Sequence, residues 1–282
     1  MSSVVVDRPV ERPERSMRFL QLIRSELIKV MTVRSMLWTL MGMSLGGAAI
    51  TTALTLTMES AGVPDAPSAA FTAWNITLGM VMFGQVLAAV LGVLAMSGEY
   101  SSGTIQSTLL AEPRRLPVLA AKAVVLFFAV SVTAALTMVV LWAVTHPLFE
   151  ELGIASTPAE PAIVAAILGG ASYLGLVSVF GVGVAALLRS SAGGIAAILV
   201  VLFLVPTGVQ VMGASVGWAM SLWPYLLSNA GEVMSTVPTG SGVAAITASP
   251  VSASPVLSGC VALGWAIIAL IAGAIRLQRR DA

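Results

Sequence analysis

Ser172, His146 and Cys260 are the side chains of this sequence whose types suggest covalent or metal chemistry. The stretch GASYLG, residues 170–175, comes close to the Gly-x-Ser-x-Gly pattern of a serine nucleophile, but it has one residue too many. The single histidine falls in a predicted loop outside the membrane, and zinc sites need more ligands than one histidine and one cysteine. The sequence therefore predicts neither an intramembrane protease nor a metal site.

Nucleotide hydrolysis would need a phosphate-binding loop of the form Gly-x-x-x-x-Gly-Lys-Ser/Thr. The only lysines, Lys29 and Lys122, follow Ile28 and Ala121 instead of a glycine. We therefore expect that the chain is not an enzyme and holds no cofactor. If its work is driven by ATP, the hydrolysis has to occur on another polypeptide.

The composition indicates the elements that must position these residues. Hydrophobic residues make up 57% of the 282 residues and charged residues 10%, whereas soluble domains have about 25% charged residues. Uncharged runs reach the length of about 20 residues that a membrane-spanning helix needs, and no strand-like alternation is present. The fold class is therefore an all-α membrane protein. We predict six spans, at about residues 36–58, 74–97, 117–144, 162–188, 192–212 and 256–275.

The charges are divided sharply between the two sides of these spans. All fourteen Lys and Arg residues lie on the side shared by the two termini: Arg8, Arg12, Arg15, Arg18, Arg24, Lys29, Arg34, Arg114, Arg115, Lys122, Arg189, Arg276, Arg279 and Arg280. The opposite side has no Lys or Arg and six acidic residues: Glu59, Asp65, Glu150, Glu151, Glu160 and Glu232. Because basic loops stay in the cytoplasm, both termini are predicted to be cytoplasmic.

The N-terminal region is predicted to lie beneath the membrane. Residues 1–16 are polar and are expected to form a disordered cytoplasmic tail, and residues 276–282 form a second tail. Residues 17–35 are expected to form an amphipathic helix in the inner membrane interface. Its predicted apolar face consists of Leu20, Ile23, Leu27 and Val30. A plain basic flank that only orients the first span is the alternative.

The outer segment 213–255, before the last span, is long and contains Trp218, Trp223 and Tyr225. Trp and Tyr favour the bilayer interface, so we expect a re-entrant or half-inserted segment here. A seventh full span at about 216–233 is the rival interpretation, and it would move the C-terminal arginines to the outside.

The segment between the second and third spans, GEYSSGTIQSTLLAEPRR at residues 98–115, is longer than a membrane hairpin needs. Gly103 breaks the preceding span, Thr104 is a suitable N-cap, and Pro113 stops the helix. We therefore predict a short helix at 104–112 that lies across the cytoplasmic face. Two interpretations of this helix are open: it contacts a second protein, or it lies in the membrane interface without a partner.

The residues of this segment resemble a known family. The pattern is Glu99-Tyr100-x-x-Gly103-Thr104-Ile105-x-x-Thr108-Leu109-Leu110-x-x-Pro113-Arg114-Arg115, followed by Lys122. It resembles type-2 ABC transporter permeases between their second and third spans. The N-terminal pattern, Ser25-Glu26-Leu27-x-Lys29 and then Thr32-x-Arg34-Ser35, resembles the interfacial helix of the same family.

That resemblance implies a partner and a set of contact residues. Family members work as two permease subunits, identical or sister chains, with two copies of a cytoplasmic ABC ATPase that binds ATP and Mg. Residues 104–112 would be the coupling helix, and the interfacial helix would also contact the ATPase. The implied docking residues are Glu26, Lys29, Glu99, Thr104, Ile105, Thr108, Leu109, Leu110, Glu112, Arg114 and Arg115.

The combined expectation is the permease subunit of an ABC exporter in a bacterial plasma membrane, surrounded by lipid and without a nucleic-acid partner. The apolar spans favour an amphiphilic or hydrophobic substrate, and Gln85 and Gln210 are candidates for its path. An ion-coupled secondary carrier is one alternative, although no ionisable residue lies at mid-span and Lys122 is expected to snorkel to the inner surface. A non-transporting scaffold or immunity protein is the other.

Overall fold

The computed structural model describes residues 19–61, 68–101, 115–151, 153, 156–157, 159–236 and 254–279. Every regular element within these ranges is a helix. The predicted tail at 1–16 and the predicted coupling helix at 104–112 lie outside the described residues.

The described elements follow one another as nine α-helices, one π-helical turn and one 3-10 helix. In chain order they are α1 (Phe19–Thr32), α2 (Arg34–Ala61), α3 (Ser68–Ser101), α4 (Arg115–Glu151), α5 (Pro161–Leu188), α6 (Ser191–Leu199), the π segment (Val200–Leu204), α7 (Val205–Gly213), the 3-10 helix (Gly217–Tyr225), α8 (Leu227–Ser235) and α9 (Pro255–Arg279).

Six stretches of the described chain are long and apolar enough to cross a membrane, as the sequence predicts. They are Arg34–Thr57, Ala69–Tyr100, Leu116–Glu151, Pro161–Leu188, Ser191–Gly213 and Pro255–Gln278. The chain therefore has the helical character of a multi-pass membrane protein. The 3-10 helix and α8 have nine residues each, too short for a seventh span at 216–233.

The helices on the acidic side are longer than the sequence predicts. Helix α3 begins at Ser68, inside the predicted loop at 59–73, and α4 continues through Pro147 to Glu151. Proline removes one backbone hydrogen bond, but packing beyond it holds the helix. The buried Phe149 lies edge-on to Phe71 of α3, with ring centroids 6.2 Å apart.

Helix α5 lies at the centre of the fold and packs against α3, α4, α6, α8 and α9. Glycines let the backbones of these helices come close together. A Cβ on Gly92 of α3 would overlap the backbone of Ser178, and one on Gly183 would overlap the backbone of Ala269 in α9. The small residues of these spans thus serve packing within one chain.

Helix α1 packs against α4 and α2, and a one-residue break at Val33 separates it from α2. The predicted apolar residues are divided between two sides of this helix. Leu22, Glu26 and Val30 are buried, whereas Leu20 is 75% exposed and Leu27 46% exposed. Glu26 lies on the side next to α4, where it meets a charged partner.

A π-helical turn interrupts the fifth span at Val200–Leu204, just before Pro206. Proline lacks an N–H, so it cannot close the regular α-helical bond at this point, and Val205 N–H donates to the carbonyl of Val200 instead. The widened turn lies halfway along the helix.

The 3-10 helix and α8 are tied to the long helices by hydrogen bonds. Trp265 Nε1 donates to the Tyr225 carbonyl at 3.0 Å, and Thr77 Oγ1 donates to the Ser235 carbonyl at 3.1 Å. Gly169 of α5 meets the backbone of Met234 so closely that a Cβ would overlap it. The region at 217–235 is therefore packed into the helix bundle.

Candidate functional site

Four charged residues come together where α1 packs between the end of α3 and the start of α4. We call Glu26, Lys29, Glu99 and Lys122 the charge cluster. Helix α1 carries Glu26 and Lys29, Glu99 lies two residues before the end of α3, and Lys122 lies two turns into α4. Residues 102–114, between these two helices, lie outside the described part of the chain.

The cluster is a closed ring in which each ammonium group donates to both carboxylates. Lys29 Nζ lies 2.6 Å from Glu26 Oε1 and 2.7 Å from Glu99 Oε1. Lys122 Nζ lies 2.6 Å from Glu26 Oε2 and 2.9 Å from Glu99 Oε1. The two lysines therefore link α1 to α3 and α4 simultaneously, with two positive and two negative charges that balance.

Burial makes this balance important. Lys122 is 1% exposed, Glu26 4% and Glu99 9%. The sequence suggested that Lys122 snorkels to the surface. The structure instead holds its ammonium group inside the protein, between two carboxylates. Buried ions pay a large desolvation penalty, so a buried pair stabilises only while its partners remain in place.

Lys29 is the most accessible member, with its side chain 34% exposed. Burial by itself lowers the pKa of its ammonium group, but the hydrogen bonds that it donates to Glu26 and Glu99 outweigh burial and raise the pKa above the usual 10.5. Lys29 therefore stays charged at any physiological pH.

Arg189 lies beside the cluster, at the turn between α5 and α6 that the sequence predicts. Its guanidinium Cζ is 5.5 Å from the centroid of the Tyr100 ring, a cation–π contact with the residue next to Glu99. Its backbone is left-handed, with φ of 55°. Ser190 caps α6 by accepting a hydrogen bond from Gly193 N–H at 3.2 Å.

The structure brings three of the expected docking residues together. Glu26, Lys29 and Glu99 are members of the charge cluster, and Arg115 is the first residue of α4. The others lie outside the described residues: Thr104, Ile105, Thr108, Leu109, Leu110, Glu112 and Arg114.

Sequence reasoning missed the role of Lys122. The signal was available, since the chain has only two lysines and Lys122 is the one charge in a long apolar run. Such an isolated charge requires a partner. The expected contact of Glu26 and Glu99 with the ATPase stays a prediction; in the structure their carboxylates face the two lysines.

The two candidates for a substrate path also come together. Gln85 of α3 and Gln210 of α7 both line a cavity of about 310 Å³. We call it the outer cavity, after the side on which the sequence predicts α8 to lie. It is enclosed by α3, the π segment, α7, the 3-10 helix and α8. Sequence reasoning missed Glu232 of α8, the acidic residue of its wall, and the wall residue Trp223.

Gln85 also joins two helices. Tyr173 Oη of α5 donates to Gln85 Oε1 at 2.6 Å, and Gln85 Nε2 donates to the Met82 carbonyl at 3.4 Å. Both ends of the buried amide therefore have partners in the protein. Gln85 thus links α3 to α5, and the same side chain borders the cavity.

Among the described residues, no group of three His, Cys, Asp or Glu side chains is placed to hold a metal ion. No protein-family model matches the sequence, and no curated protein matches it. The sequence motifs, the charge cluster and the outer cavity are therefore the features that bear on function.

Proposed function

We propose that the chain is the permease subunit of an ATP-driven ABC exporter. Two such subunits would work with two copies of a cytoplasmic ABC ATPase that binds ATP and Mg. Under this proposal the membrane is a bacterial plasma membrane and both termini face the cytoplasm. The 3-10 helix and α8 then enter the bilayer partway from the outer side.

The charge cluster is the observation that supports this proposal most. Residues 102–114 carry the motif that resembles a coupling helix. The cluster fixes α3 and α4, the helices on either side of this segment, to α1. A segment that receives force from a partner must be anchored to elements that move with it. The cluster provides such an anchor, since its ion pairs join three helices at one point.

Helix α3 connects the two sites of the molecule. Glu99 lies in the cluster and Gln85 lies on the cavity wall, about 21 Å apart along the helix axis at 1.5 Å per residue. A displacement of the end of α3 therefore reaches the cavity through one rigid element. ATP binding to the partner would shift the population between inward-facing and outward-facing states through its different contacts in each.

The test is co-purification with the ATPase that we expect the adjacent reading frame to encode. A tag on the permease should retain this ATPase, and Leu109→Asp should release it, because a carboxylate replaces the apolar edge of the docking segment. Ala159→Asp, which adds the same charge at an exposed position on the acidic side, is the matched control and should retain it. Full retention by a folded Leu109→Asp variant would contradict the docking assignment.

A further inference from the structure

The outer cavity has one charged residue in its wall. Of the described residues that line it, Glu232 is acidic and none is Lys or Arg. A carboxylate in a partly enclosed site between helices attracts a cation more strongly than the same group in water, because the local dielectric is lower. The electrostatics of the cavity thus favour a positively charged group near α8.

Two indole rings belong to the wall of the cavity. Trp74 and Trp223 belong to its wall, and indole is the aromatic ring that attracts ammonium groups most strongly. Trp223 is 7% exposed, and its Nε1–H has no acceptor among the described residues. A water molecule can satisfy a buried donor of this kind.

Much of the remaining wall is apolar. Leu78, Val81 and Met82 of α3 and Leu202 and Phe203 of the π segment line the cavity. These side chains suit a hydrocarbon chain. The volume of about 310 Å³ is at the lower end of the range for small-molecule pockets, enough for a head group and the first part of a chain.

The surroundings of the cavity have the same sign of charge. On the side predicted for α8, the sequence has six acidic residues, Glu232 among them, and no Lys or Arg. A surface of one sign raises the local concentration of ligands with the opposite charge. Cations are therefore concentrated near the cavity.

We propose that the outer cavity binds a cationic amphiphile, with its ammonium or guanidinium group at Glu232 and the two indoles and its chain along the apolar wall. This inference deepens the proposed function and rests on it, because it names the class of substrate that the exporter would move. Gln85 and Gln210 also lie on the wall of this site.

The test is direct binding of tritiated dodecyltrimethylammonium to the full chain in phosphatidylcholine nanodiscs, with empty nanodiscs subtracted. We expect one saturable site per chain, and unlabelled dodecyl sulfate should compete poorly for it. Glu232→Gln should weaken binding by about tenfold or more, because a charge-assisted contact is lost. Glu151→Gln removes an exposed charge on the same side but outside the cavity wall, and it should leave the affinity unchanged.

A second variant guards against a folding defect in Glu232→Gln. Ser228→Phe fills the cavity from its half-buried wall position without changing a charge, and it should also abolish saturable binding in a monodisperse sample. Absence of a saturable site, full binding by the folded Glu232→Gln variant, equal loss in Glu151→Gln, or equal competition by dodecyl sulfate would each overturn the proposal. No ATPase is present in this experiment, so its failure removes the substrate class and leaves the co-purification test unaffected.

Discussion

Lys122 is the least exposed charge of the cluster, and its ammonium group meets carboxylates from two different helices. Glu26 and Glu99 would each lose a donor without it, and neither has free access to water. The cluster is therefore a set of charges that stabilises the fold only as a whole.

We expect Lys122→Met to lower the free energy of unfolding by about 3–5 kcal/mol, because it leaves a buried negative charge without compensation. Chemical unfolding in detergent micelles measures this change. Lys29→Met should cost less, since the side chain of Lys29 is 34% exposed and water replaces part of the lost contact.

The double variant Lys122→Met/Glu99→Gln is the control for this effect. It removes one charge of each sign, so it restores neutrality and should recover part of the stability lost in Lys122→Met. Equal stability of Lys122→Met and the wild-type protein would show that the buried ring contributes nothing to the fold.

The raised pKa of Lys29 gives a prediction at alkaline pH. A lysine whose pKa is higher in the folded state contributes its full stabilisation below the usual pKa of 10.5 and loses it as the pH rises through the folded value. The stability difference between the wild-type protein and Lys29→Met should therefore stay constant from pH 8 to about 10.5 and shrink above it. A difference that already declines near neutral pH would contradict the ion pairs of Lys29.

At the scale of elements, hydropathy predicts those features of the helices that depend on the length and composition of apolar runs. The number of spanning helices and the turn at Arg189 follow from apolar runs and their interruptions. The ends of α3 and α4 do not, because Phe71 and Phe149 pack together and extend helices beyond the apolar runs. Such a contact between distant residues has no local signal.

The burial of Glu26 in α1 was missed for a related reason. Helical periodicity of apolar residues ignores charged residues, yet Glu26 is buried because Lys122 lies opposite it. The composition of the cavity wall was missed as well, since Glu232 and Gln85 are far apart in sequence and meet only after α8 packs against α3.

The close approach of α8 to α5 depends on Gly169. A Cβ there would overlap the carbonyl oxygen of Met234, so Gly169→Ala should displace α8 and destabilise the protein by about 1–3 kcal/mol. Gly264→Ala in α9 is the matched control, because its Cβ meets nothing within 4 Å, and it should be neutral or stabilising. Equal thermal stability of the two variants would argue against tight packing of α8.

For the whole molecule, the sequence divides the charges between two sides and the structure puts the charge cluster and the outer cavity at different levels of α3. The proposed sidedness puts the cluster at the cytoplasmic face and α8 toward the outside. Under the proposed function, the ATPase would displace one end of α3, and this displacement would act on a ligand farther along the same helix.

Cysteine labelling tests this sidedness. With Cys260 replaced by serine, Leu110→Cys should react with an impermeant maleimide only from the cytoplasmic side, and Ala159→Cys only from the outside. Position 159 is exposed in the structure, so its reactivity reports sidedness and not burial. The reverse pattern would overturn the orientation.

The central claim is that this chain controls an ATPase on a separate polypeptide. The most direct measurement is the rate of ATP hydrolysis by the ATPase from the adjacent reading frame, in nanodiscs that contain the wild-type chain, Leu109→Asp or no permease. We predict that the wild-type chain changes the rate and that Leu109→Asp returns it to the rate with empty nanodiscs. A rate that is the same in all three preparations would contradict the claim.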